Sequence, residues 1–402
     1  MDRGEAHRSP WPSIGFEEIP WEPREVGPTS RSASRRHRGP YRAAITPEIA
    51  SRPVPLSGEQ AAELDDATNE MARFDAEFGQ ELAPFGPVLL RSESAASSQI
   101  ENLTASARAI AEAELRPASS DNASLVVANT RAMRTAVALA GRIDEEGILA
   151  MHDALLGPSR PEIVGRWRTE AVWIGGSTLG PHLADFVPPH HDRVVPAIAD
   201  LVAFIERDDV PVLAQAAIAH AQFETIHPFP DGNGRTGRAL LQAHLRLKGL
   251  TRNVTVPVSA GLLADTGAYF TALDDYRAGD PSVIIEQLVS ASFAAIGNGR
   301  TLVEDLRDIR AKWTEQITVR RGALAWDIAD LLLRRPAVSA TVAATELDAR
   351  LSNVYPAIEA LVHAEVAVES TDRKRNRIWR APEVLEALDR FAARAGRRRR
   401  PA

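Results

Sequence analysis

Apolar side chains recur at helical spacing along most of this 402-residue chain, whereas runs that alternate like β-strands are almost absent. The clearest apolar face begins near residue 57 and is formed by Leu64, Met71, Phe74, Phe78 and Leu82. Their spacing of seven, three, four and four residues fits one side of an α-helix. Further helices are predicted at about 88–115, 122–141, 191–207, 211–226, 234–248, 262–277 and 281–308. The sequence therefore predicts an all-α fold.

One internal segment departs from this helical pattern. A short β-like run at 171–176 meets a second run at 186–189 across a turn rich in Gly and Pro. Two extended runs joined in this way are typical of a β-hairpin. We expect the hairpin to stand out from a helical background.

The first 55 residues differ in composition from the rest, because Pro, Ser and Arg dominate them. Such a composition offers little apolar surface for a core. We expect residues 1–55 to form an extended, poorly ordered arm with Trp11, Phe16 and Trp21 as its few anchors.

The composition excludes several classes of chemistry. The chain has no cysteine, so disulfides, thiolate zinc sites and a cysteine nucleophile are ruled out. No run of about 18 apolar residues is present, and the first residues lead into no apolar signal segment. We therefore expect a cytoplasmic protein without a membrane partner. The net charge of −7 argues against a chain that is polycationic throughout.

The stretch from His227 to Arg238 reads H-P-F-P-D-G-N-G-R-T-G-R and contains a formal G-x-G-x-x-G. A dinucleotide fingerprint would have to follow an apolar strand, with an acidic residue about 20 positions later. Here a predicted helix precedes the stretch, and the region near residue 257 reads Pro-Val-Ser. A Walker A loop also fails, because Gly237 is followed by Arg and Ala.

The stretch nevertheless has features that predict an anion-binding site. A loop of small residues opens a helix at about residue 234, and free N–H groups at a helix N-terminus bind phosphate. Arg235 and Arg238 lie three apart and can reach the same phosphates. Asp231 offers the hard oxygen that Mg²⁺ prefers. His227 is the group in this stretch whose ordinary pKa suits a general base near neutral pH.

This stretch resembles the signature of the Fic (Fido) family, H-P-F-x-[DE]-G-N-G-R-x-x-R, and every fixed position matches. The resemblance extends over roughly residues 85–310. It implies a helical core with a β-hairpin flap, here placed at residues 146–310. Most members transfer AMP from ATP to a hydroxyl side chain of a target protein, which implies ATP and Mg²⁺ as substrate and cofactor. Phosphotransferase relatives of the Doc type carry Lys where this chain has Gly234, so the sequence resembles the nucleotidyltransferases.

The resemblance also assigns roles to single residues. His227 would deprotonate the target hydroxyl, and Asp231 would hold Mg²⁺ between the α- and β-phosphates. Arg235 would contact the β-phosphate and Arg238 the γ-phosphate, while Phe229 would pin the loop to the helical core. The remaining nucleotide-binding residues implied are Gly232, Asn233, Gly234, Thr236, Gly237, Gln222 and Tyr269.

A second motif lies upstream, in the helical region 56–145. Ser97, Glu101 and Asn102 match the inhibitory pattern [ST]-x-x-x-E-[GN] of family members whose inhibitory helix, here about 88–103, precedes the core. The resemblance implies that Glu101 pairs with Arg238 and so occupies the guanidinium that should hold the γ-phosphate. In some members the same Glu positions water to remove AMP. Cores with such helices often form homodimers.

The hairpin corresponds to the family's flap, with Trp173, Ile174, Gly175 and Gly176 in its first arm. Its edge would hold a segment of the target by β-augmentation. The nearby run His190-His191-Asp192 is compatible with a metal, although a helix start is the favoured interpretation.

The last 80 residues have the order helix, helix, helix, strand, strand, which predicts a winged helix-turn-helix at 322–382 and a basic helix or tail at 383–402. Residues 322–402 carry 14 basic and 11 acidic side chains, a modest excess for a DNA-binding domain. Candidate DNA contacts are Arg350, Asn353, Arg373, Lys374, Arg375 and Arg377. Dimerisation or target docking is the alternative role of this region.

Three functions thus remain open after the sequence alone. The leading one is a protein adenylyltransferase whose target bears a Ser, Thr or Tyr hydroxyl and is another protein or the enzyme itself. The second is a DNA-binding regulator whose core senses a nucleotide. The third is an enzyme of the same type that uses another nucleotide or removes AMP.

Overall fold

The computed structural model describes residues 11–21, 36–79, 85–116, 122–177, 179–370 and 377–396. They divide between two compact units. The first unit comprises residues 1–65, 135–247 and 267–288, and the second comprises 66–134, 248–266 and 289–402. Each unit combines segments that are distant in sequence, whereas the domains predicted at 56–145 and 146–310 are contiguous. No helix of the described residues is long and apolar enough to cross a membrane.

The first unit is built around a buried helix. Its helices are α5 (Glu145–Leu156), α6 (Val194–Glu206), α7 (Val212–Ile226), α8 (Asn233–Leu247) and α10 (Thr266–Ala278). Every residue of α7 from Leu213 onwards is buried. A helix that is shielded on all sides is a core helix. Three further described helices, α1 (Gly58–Gly79), α4 (Asn122–Leu139) and α11 (Ser282–Gln316), have several residues in each unit, and α10 has its first residue, Thr266, in the second unit.

The N-terminal arm contains regular structure that its composition did not predict. Strands β1 (Gly15–Ile19) and β2 (Tyr41–Ile45) pair antiparallel, with Gly15 opposite Ile45. Further along the arm, the backbone N–H groups of Ile49 and Ala50 donate to the Asp200 carboxylate at 2.7 and 3.1 Å. The expectation of a poorly ordered arm is therefore wrong for residues 11–21 and 36–55. Both strands depend on partners far away in sequence, which local composition does not reveal.

The predicted hairpin is present only as a loosely bonded turn. Its two arms meet at one antiparallel bridge, in which the Ile174 N–H donates to the Phe186 carbonyl at 2.9 Å. A second bridge joins Ser177 and Gly180 nearer the tip. The predicted hairpin is therefore short, because the positive φ angles of Gly175 and Gly176 interrupt the first arm.

The second unit contains helices α2 (Gly86–Ile100), α3 (Ala107–Leu115) and α9 (Val258–Leu263). The expected single helix at 88–115 is thus two helices. Asn102 has φ +60°, which ends the first, and the Ser106 side chain accepts the Ala109 N–H at 3.2 Å to begin the second.

The C-terminal part of the second unit has a strand that the sequence did not predict. Its elements are α12 (Leu324–Arg334), β3 (Ala337–Ser339), α13 (Ala340–Glu346), α14 (Leu351–His363), β4 (Val368–Glu369), β5 (Ile378–Arg380) and α15 (Pro382–Ala395). The strands form an antiparallel sheet in the order β3-β5-β4. With three residues, β3 is too short to show an alternating pattern in the sequence.

The candidate DNA contacts fall in different places. Arg350 and Asn353 are exposed at the start of α14. Arg377 is paired with Glu369 through two nitrogens and lies over the Trp379 ring, 4.9 Å from its centre. Arg373, Lys374 and Arg375 lie outside the described residues, as does the basic tail from residue 397. Within the described part of 383–402, α15 buries an apolar face that includes Leu385 and Phe391.

Candidate active site

The loop between α7 and α8 brings the predicted motif together. Helix α7 ends at His227, which adopts a left-handed backbone conformation with φ +50° and ψ +62°. Its N–H donates to the Phe223 carbonyl at 2.9 Å, and this bond closes the last turn of the helix. Gly232 has φ +77°, and α8 begins at the next residue. The chain thus reverses in a few residues, and the N-terminus of α8 lies in the same loop as His227.

Asn233 braces this loop from within. Its side-chain oxygen accepts the Phe229 N–H at 2.9 Å, and its side-chain nitrogen donates to the Phe229 carbonyl at 2.8 Å. The family resemblance implies that Asn233 lines the anion hole. The structure instead places its side chain on the backbone of Phe229, where it satisfies two buried polar groups.

Phe229, the residue predicted to pin the loop, is fully buried in the first unit. Its ring stacks on His152, with the centroids 3.7 Å apart, and Trp167 lies 5.2 Å away. The His152 ring also makes a polar contact, because its Nε2 lies 3.0 Å from the Asp231 carbonyl oxygen. His152 and Trp167 carry no motif, and their positions in the sequence gave no signal of this role.

The surroundings of His227 keep its imidazole neutral. Burial lowers its pKa below the ordinary value of 6.5, and the positive charges of Arg168 and Arg277 lower it further. A contact with the Glu224 backbone opposes these effects but does not outweigh them. The lowered pKa, about 3, leaves the imidazole neutral and able to accept a proton at physiological pH, and it also makes His227 a weaker base than a free histidine.

Asp231 is the acidic residue of the loop, and solvent can reach its carboxylate. Its side chain is 44% exposed, and one carboxylate oxygen accepts the Gly232 N–H at 2.6 Å. The other oxygen accepts from Arg160 at 3.1 Å. Arg160 is itself half exposed. A single reachable carboxylate fits Mg²⁺, which is bound through one or two carboxylates, phosphate oxygens and water.

The two motif arginines lie deeper. Arg235 and Arg238 are 4% and 2% exposed, and Thr236 between them is fully buried. Gly237 lets α8 approach α7, because a Cβ at this position would lie 2.9 Å from the Phe223 ring. Both guanidinium groups therefore belong to the interior at the start of α8, beside the loop that carries His227 and Asp231.

Known proteins resemble this chain in sequence and in fold. Residues 142–245, which include α5 to α8 and the loop, match the Fic/DOC family. The protein contains a Fic/DOC family domain. A crystal structure of a Fic family protein from Desulfovibrio desulfuricans aligns with 82% of this chain and 97% of its own, with a TM-score of 0.51 and 21% identity. The two proteins share the fold.

Relatives of the Fic domain with assigned names point to one activity. Protein adenylyltransferase fic-1 of Caenorhabditis elegans is 30% identical over 157 residues, which cover 38% of this chain and 28% of the relative. A probable protein adenylyltransferase of Aquifex aeolicus is 41% identical over 90 residues, covering 21% and 28% of the two chains. The chain thus spans less than a third of the length of either relative.

The two residues predicted to line the nucleotide pocket outside the motif, Gln222 and Tyr269, form hydrogen bonds in the interior of the first unit. Gln222 donates its amide to the Pro47 carbonyl at 3.0 Å and accepts from the Tyr276 hydroxyl at 2.8 Å. The Tyr269 hydroxyl lies 2.8 Å from His220 Nε2. Both side chains are almost fully buried. In this structure they connect elements of the first unit.

The flap of the Fic domain is bonded to the N-terminal arm. Trp21 packs edge-on against Trp173, with ring centroids 5.8 Å apart, and the Ala44 N–H of β2 donates to the Val187 carbonyl at 3.0 Å. Ile174 remains 36% exposed. The second arm of the flap therefore already has a strand beside it at Val187.

The predicted inhibitory residues lie in the second unit, whereas the Fic motif lies in the first. Ser97 is fully buried, and Glu101 caps the end of α2, with its N–H donating to the Ser98 carbonyl at 3.1 Å. The positive φ of Asn102 explains why this position of the motif favours Gly or Asn.

The run His190-His191-Asp192 leads through a short 3₁₀ turn into α6, which agrees with the prediction of a helix start.

Proposed function

We propose that the Fic domain transfers AMP from ATP to a Ser, Thr or Tyr hydroxyl of a protein and releases pyrophosphate. The observation that carries this proposal is the α7–α8 loop, which combines a neutral imidazole, a reachable carboxylate and the N-terminus of α8. Phosphoryl transfer needs positioning and charge neutralisation more than covalent participation of the protein. The names of the relatives point to the same reaction.

In this mechanism His227 accepts the proton of the target hydroxyl. The oxygen attacks the α-phosphorus, and the bond between that phosphorus and the oxygen that leaves with pyrophosphate breaks. The left-handed turn at His227 presents the imidazole from the end of α7 rather than along the helix. Because the imidazole is neutral at the start of the reaction, no prior deprotonation is needed.

Several groups would neutralise the negative charge of the phosphates. Asp231 would hold Mg²⁺, whose role is to neutralise charge on the phosphate oxygens. The backbone N–H groups of Gly232 and Gly234 would supply the anion hole. Arg235 and Arg238 would supply forked donors to the β- and γ-phosphates.

Regulation by the second unit is part of the proposal. Glu101 would pair with Arg238 and leave the γ-phosphate without its guanidinium, so that ATP binds unproductively. The target segment would pair with the flap arm that carries Trp173 and Ile174, because β2 is bonded to the other arm at Val187.

The test uses ATP labelled at the α-phosphate, in parallel with ATP labelled at the γ-phosphate, with Mg²⁺ and purified full-length protein. Wild type, Glu101→Gly, His227→Ala and the control His363→Ala, an exposed histidine of α14, are compared. We expect label from α-labelled ATP on Glu101→Gly, less on wild type and His363→Ala, and none on His227→Ala. Label from γ-labelled ATP alone would show phosphotransfer and overturn the proposal, and equal labelling of wild type and Glu101→Gly would overturn autoinhibition.

The competing function is DNA binding by the C-terminal region, which a winged helix-turn-helix would provide. Arg377, the described candidate in the presumed wing, is paired with Glu369, so a phosphate contact would have to replace that pair. This observation favours the enzyme. Duplex binding that weakens steeply with added salt would favour the regulator.

Sedimentation of the same samples would test the expected homodimer.

A further inference from the structure

We propose that Arg168 is the positioning residue for His227. Its side chain joins the left-handed turn at His227, the proposed catalytic base, to the end of the flap. The inference rests on the proposed function, since it assigns a residue to the same reaction. Arg168 stands outside the Fic motif, in the segment that leads into the flap. Its side chain is 3% exposed.

The contacts of Arg168 define the backbone on both sides of the His227 Cα atom. Its Nε donates to the His227 carbonyl at 2.8 Å, and its Nη2 makes a longer contact of 3.4 Å with the Ile226 carbonyl. Its own backbone N–H donates to the Pro228 carbonyl at 2.9 Å. The two peptide planes that flank a Cα set its φ and ψ. Arg168 therefore holds the turn that aims the imidazole.

The same guanidinium reaches the flap. Its Nη2 donates to the Pro189 carbonyl at 2.5 Å, at the end of the second flap arm, and its Nη1 donates to the Glu170 carbonyl at 3.1 Å. A planar fork joins segments in this way with donors in fixed directions, whereas the donors of a flexible ammonium have no fixed directions. Arg168 thus links the base to the segment proposed to present the target hydroxyl.

The turn needs such support. Left-handed φ values are unfavourable for residues other than glycine, and His227 has φ +50°. The carbonyls of Ile226 and His227 lie at the C-terminal end of α7, where helix carbonyls lack partners in the helix and attract positive charge. Burial lowers the pKa of Arg168 to about 10, so the group stays cationic at neutral pH.

The experiment compares Arg168→Gln and Arg168→Lys with Arg166→Gln and Arg166→Lys. Arg166 is an exposed arginine two residues away that donates to the Glu162 carbonyl. AMP transfer is measured in the background, wild type or Glu101→Gly, that transfers faster. We expect Arg168→Gln to lower kcat roughly 100-fold, with the KM for ATP changed less than about threefold. Arg168→Lys should recover about tenfold of that loss, and both Arg166 variants should match the parent.

Three kinetic outcomes would overturn the proposal. They are a kcat loss no larger than the unfolded fraction measured by thermal unfolding, a raised KM with unchanged kcat, and an equal loss in Arg166→Gln. If Arg168→Gln does not fold, Arg168→Lys decides the question. A roughly tenfold lower kcat with unchanged KM supports positioning, and an unchanged kcat contradicts it.

A second readout does not depend on activity. The His227 ring is followed by NMR as a function of pH in histidine-labelled protein and assigned by its loss in His227→Asn. The charged groups that face it are Arg168 and Arg277, together with the Glu224 backbone. In Arg168→Gln we expect the ring to titrate at a higher pH than in the parent, and in Arg166→Gln at the same pH. An unchanged titration in folded Arg168→Gln overturns the positioning role. A shifted titration without AMP transfer by any protein overturns the proposed function alone.

Discussion

The α7–α8 loop and the flap are both glycine-containing turns of the first unit, yet they are held in different ways. The loop is fixed by buried side chains from several segments, through the Asn233 brace and the stack of Phe229 on His152. The flap turn is closed by one backbone bridge at Ile174 and a second near its tip. Phosphate chemistry needs groups that are already in place, whereas a docking edge must adapt to its partner.

The glycines of the two turns show the same contrast. A Cβ at Gly232 of the loop would lie 3.0 and 3.1 Å from methyl groups of Leu155 and Leu156. A Cβ at Gly176 of the flap would lie 2.3 Å from the Leu183 carbonyl oxygen, within the flap itself. The loop glycine is thus packed against helical side chains, whereas Gly176 is packed against the backbone of the opposite flap arm.

The largest effect expected from this contrast comes from the two phenylalanines. Phe229→Ala should lower the free energy of unfolding by about 3–5 kcal/mol, because a fully buried ring leaves a cavity. Phe186→Ala, in the half-buried flap arm, should cost about 1–2 kcal/mol. Urea unfolding of both variants measures the difference. Equal losses would show that the flap is as tightly packed as the loop.

The second prediction concerns hydrogen bonds. Asn233→Ala should cost about 2–3 kcal/mol, because it leaves the buried N–H and carbonyl of Phe229 without their partner. Ser177→Ala removes the bond from the Leu179 N–H in the flap, which is 3.2 Å long, and should cost about 0.5 kcal/mol. Both values come from the same unfolding measurement. A loss below about 1 kcal/mol for Asn233→Ala would show that the brace is replaceable.

The third prediction uses pH to test the helix that carries the loop. Burial first and then the Arg238 charge lower the pKa of His220 to about 3, whereas the unfolded value is about 6.5. Below pH 6.5 the unfolded chain therefore binds a proton that the folded chain does not. Stability should fall as the pH drops from 6.5 towards 3, by about 1.4 kcal/mol per pH unit for this group.

Unfolding at a series of pH values measures this slope in wild type and in His220→Gln. In the variant, the free energy of unfolding should change less steeply with pH, because one fewer proton is bound on unfolding. His227 continues to contribute in the same direction, because its pKa is also lowered. Parallel slopes for the two proteins would contradict the prediction.

A small effect on global stability is also expected in the flap turn. Gly176→Ala forces a positive φ on alanine and brings its Cβ against the Leu183 carbonyl, but the flap can open without unfolding the helices. We expect a loss of about 1 kcal/mol or less, with faster amide exchange confined to the flap. Gly175→Ala is the matched variant, since its Cβ would meet the movable Asp185 side chain. Faster exchange in the α7–α8 loop would show that the two turns are coupled.

The sequence predicted the helices and the motif more accurately than the strands and the arm. Helix α7 was expected at 211–226 and lies at Val212–Ile226, because a helix bonds to itself and its apolar pattern is local. Strands β1 and β2 went unnoticed, since each is bonded to a partner more than 20 residues away. The break between α2 and α3 was also missed, although Asn102 and Ser106 are ordinary signals for a helix end and a helix start.

The sequence by itself determined which chemistry this protein has available. A single stretch holds the imidazole, the carboxylate, the glycines and the arginines, so their proximity follows from chain connectivity. The tertiary structure decided what holds these groups in place. Arg168 and His152 lie 59 and 79 residues before the groups they contact in the loop, and no motif marks them. Their roles arise from burial and from backbone carbonyls, which every residue carries and which the sequence therefore cannot distinguish.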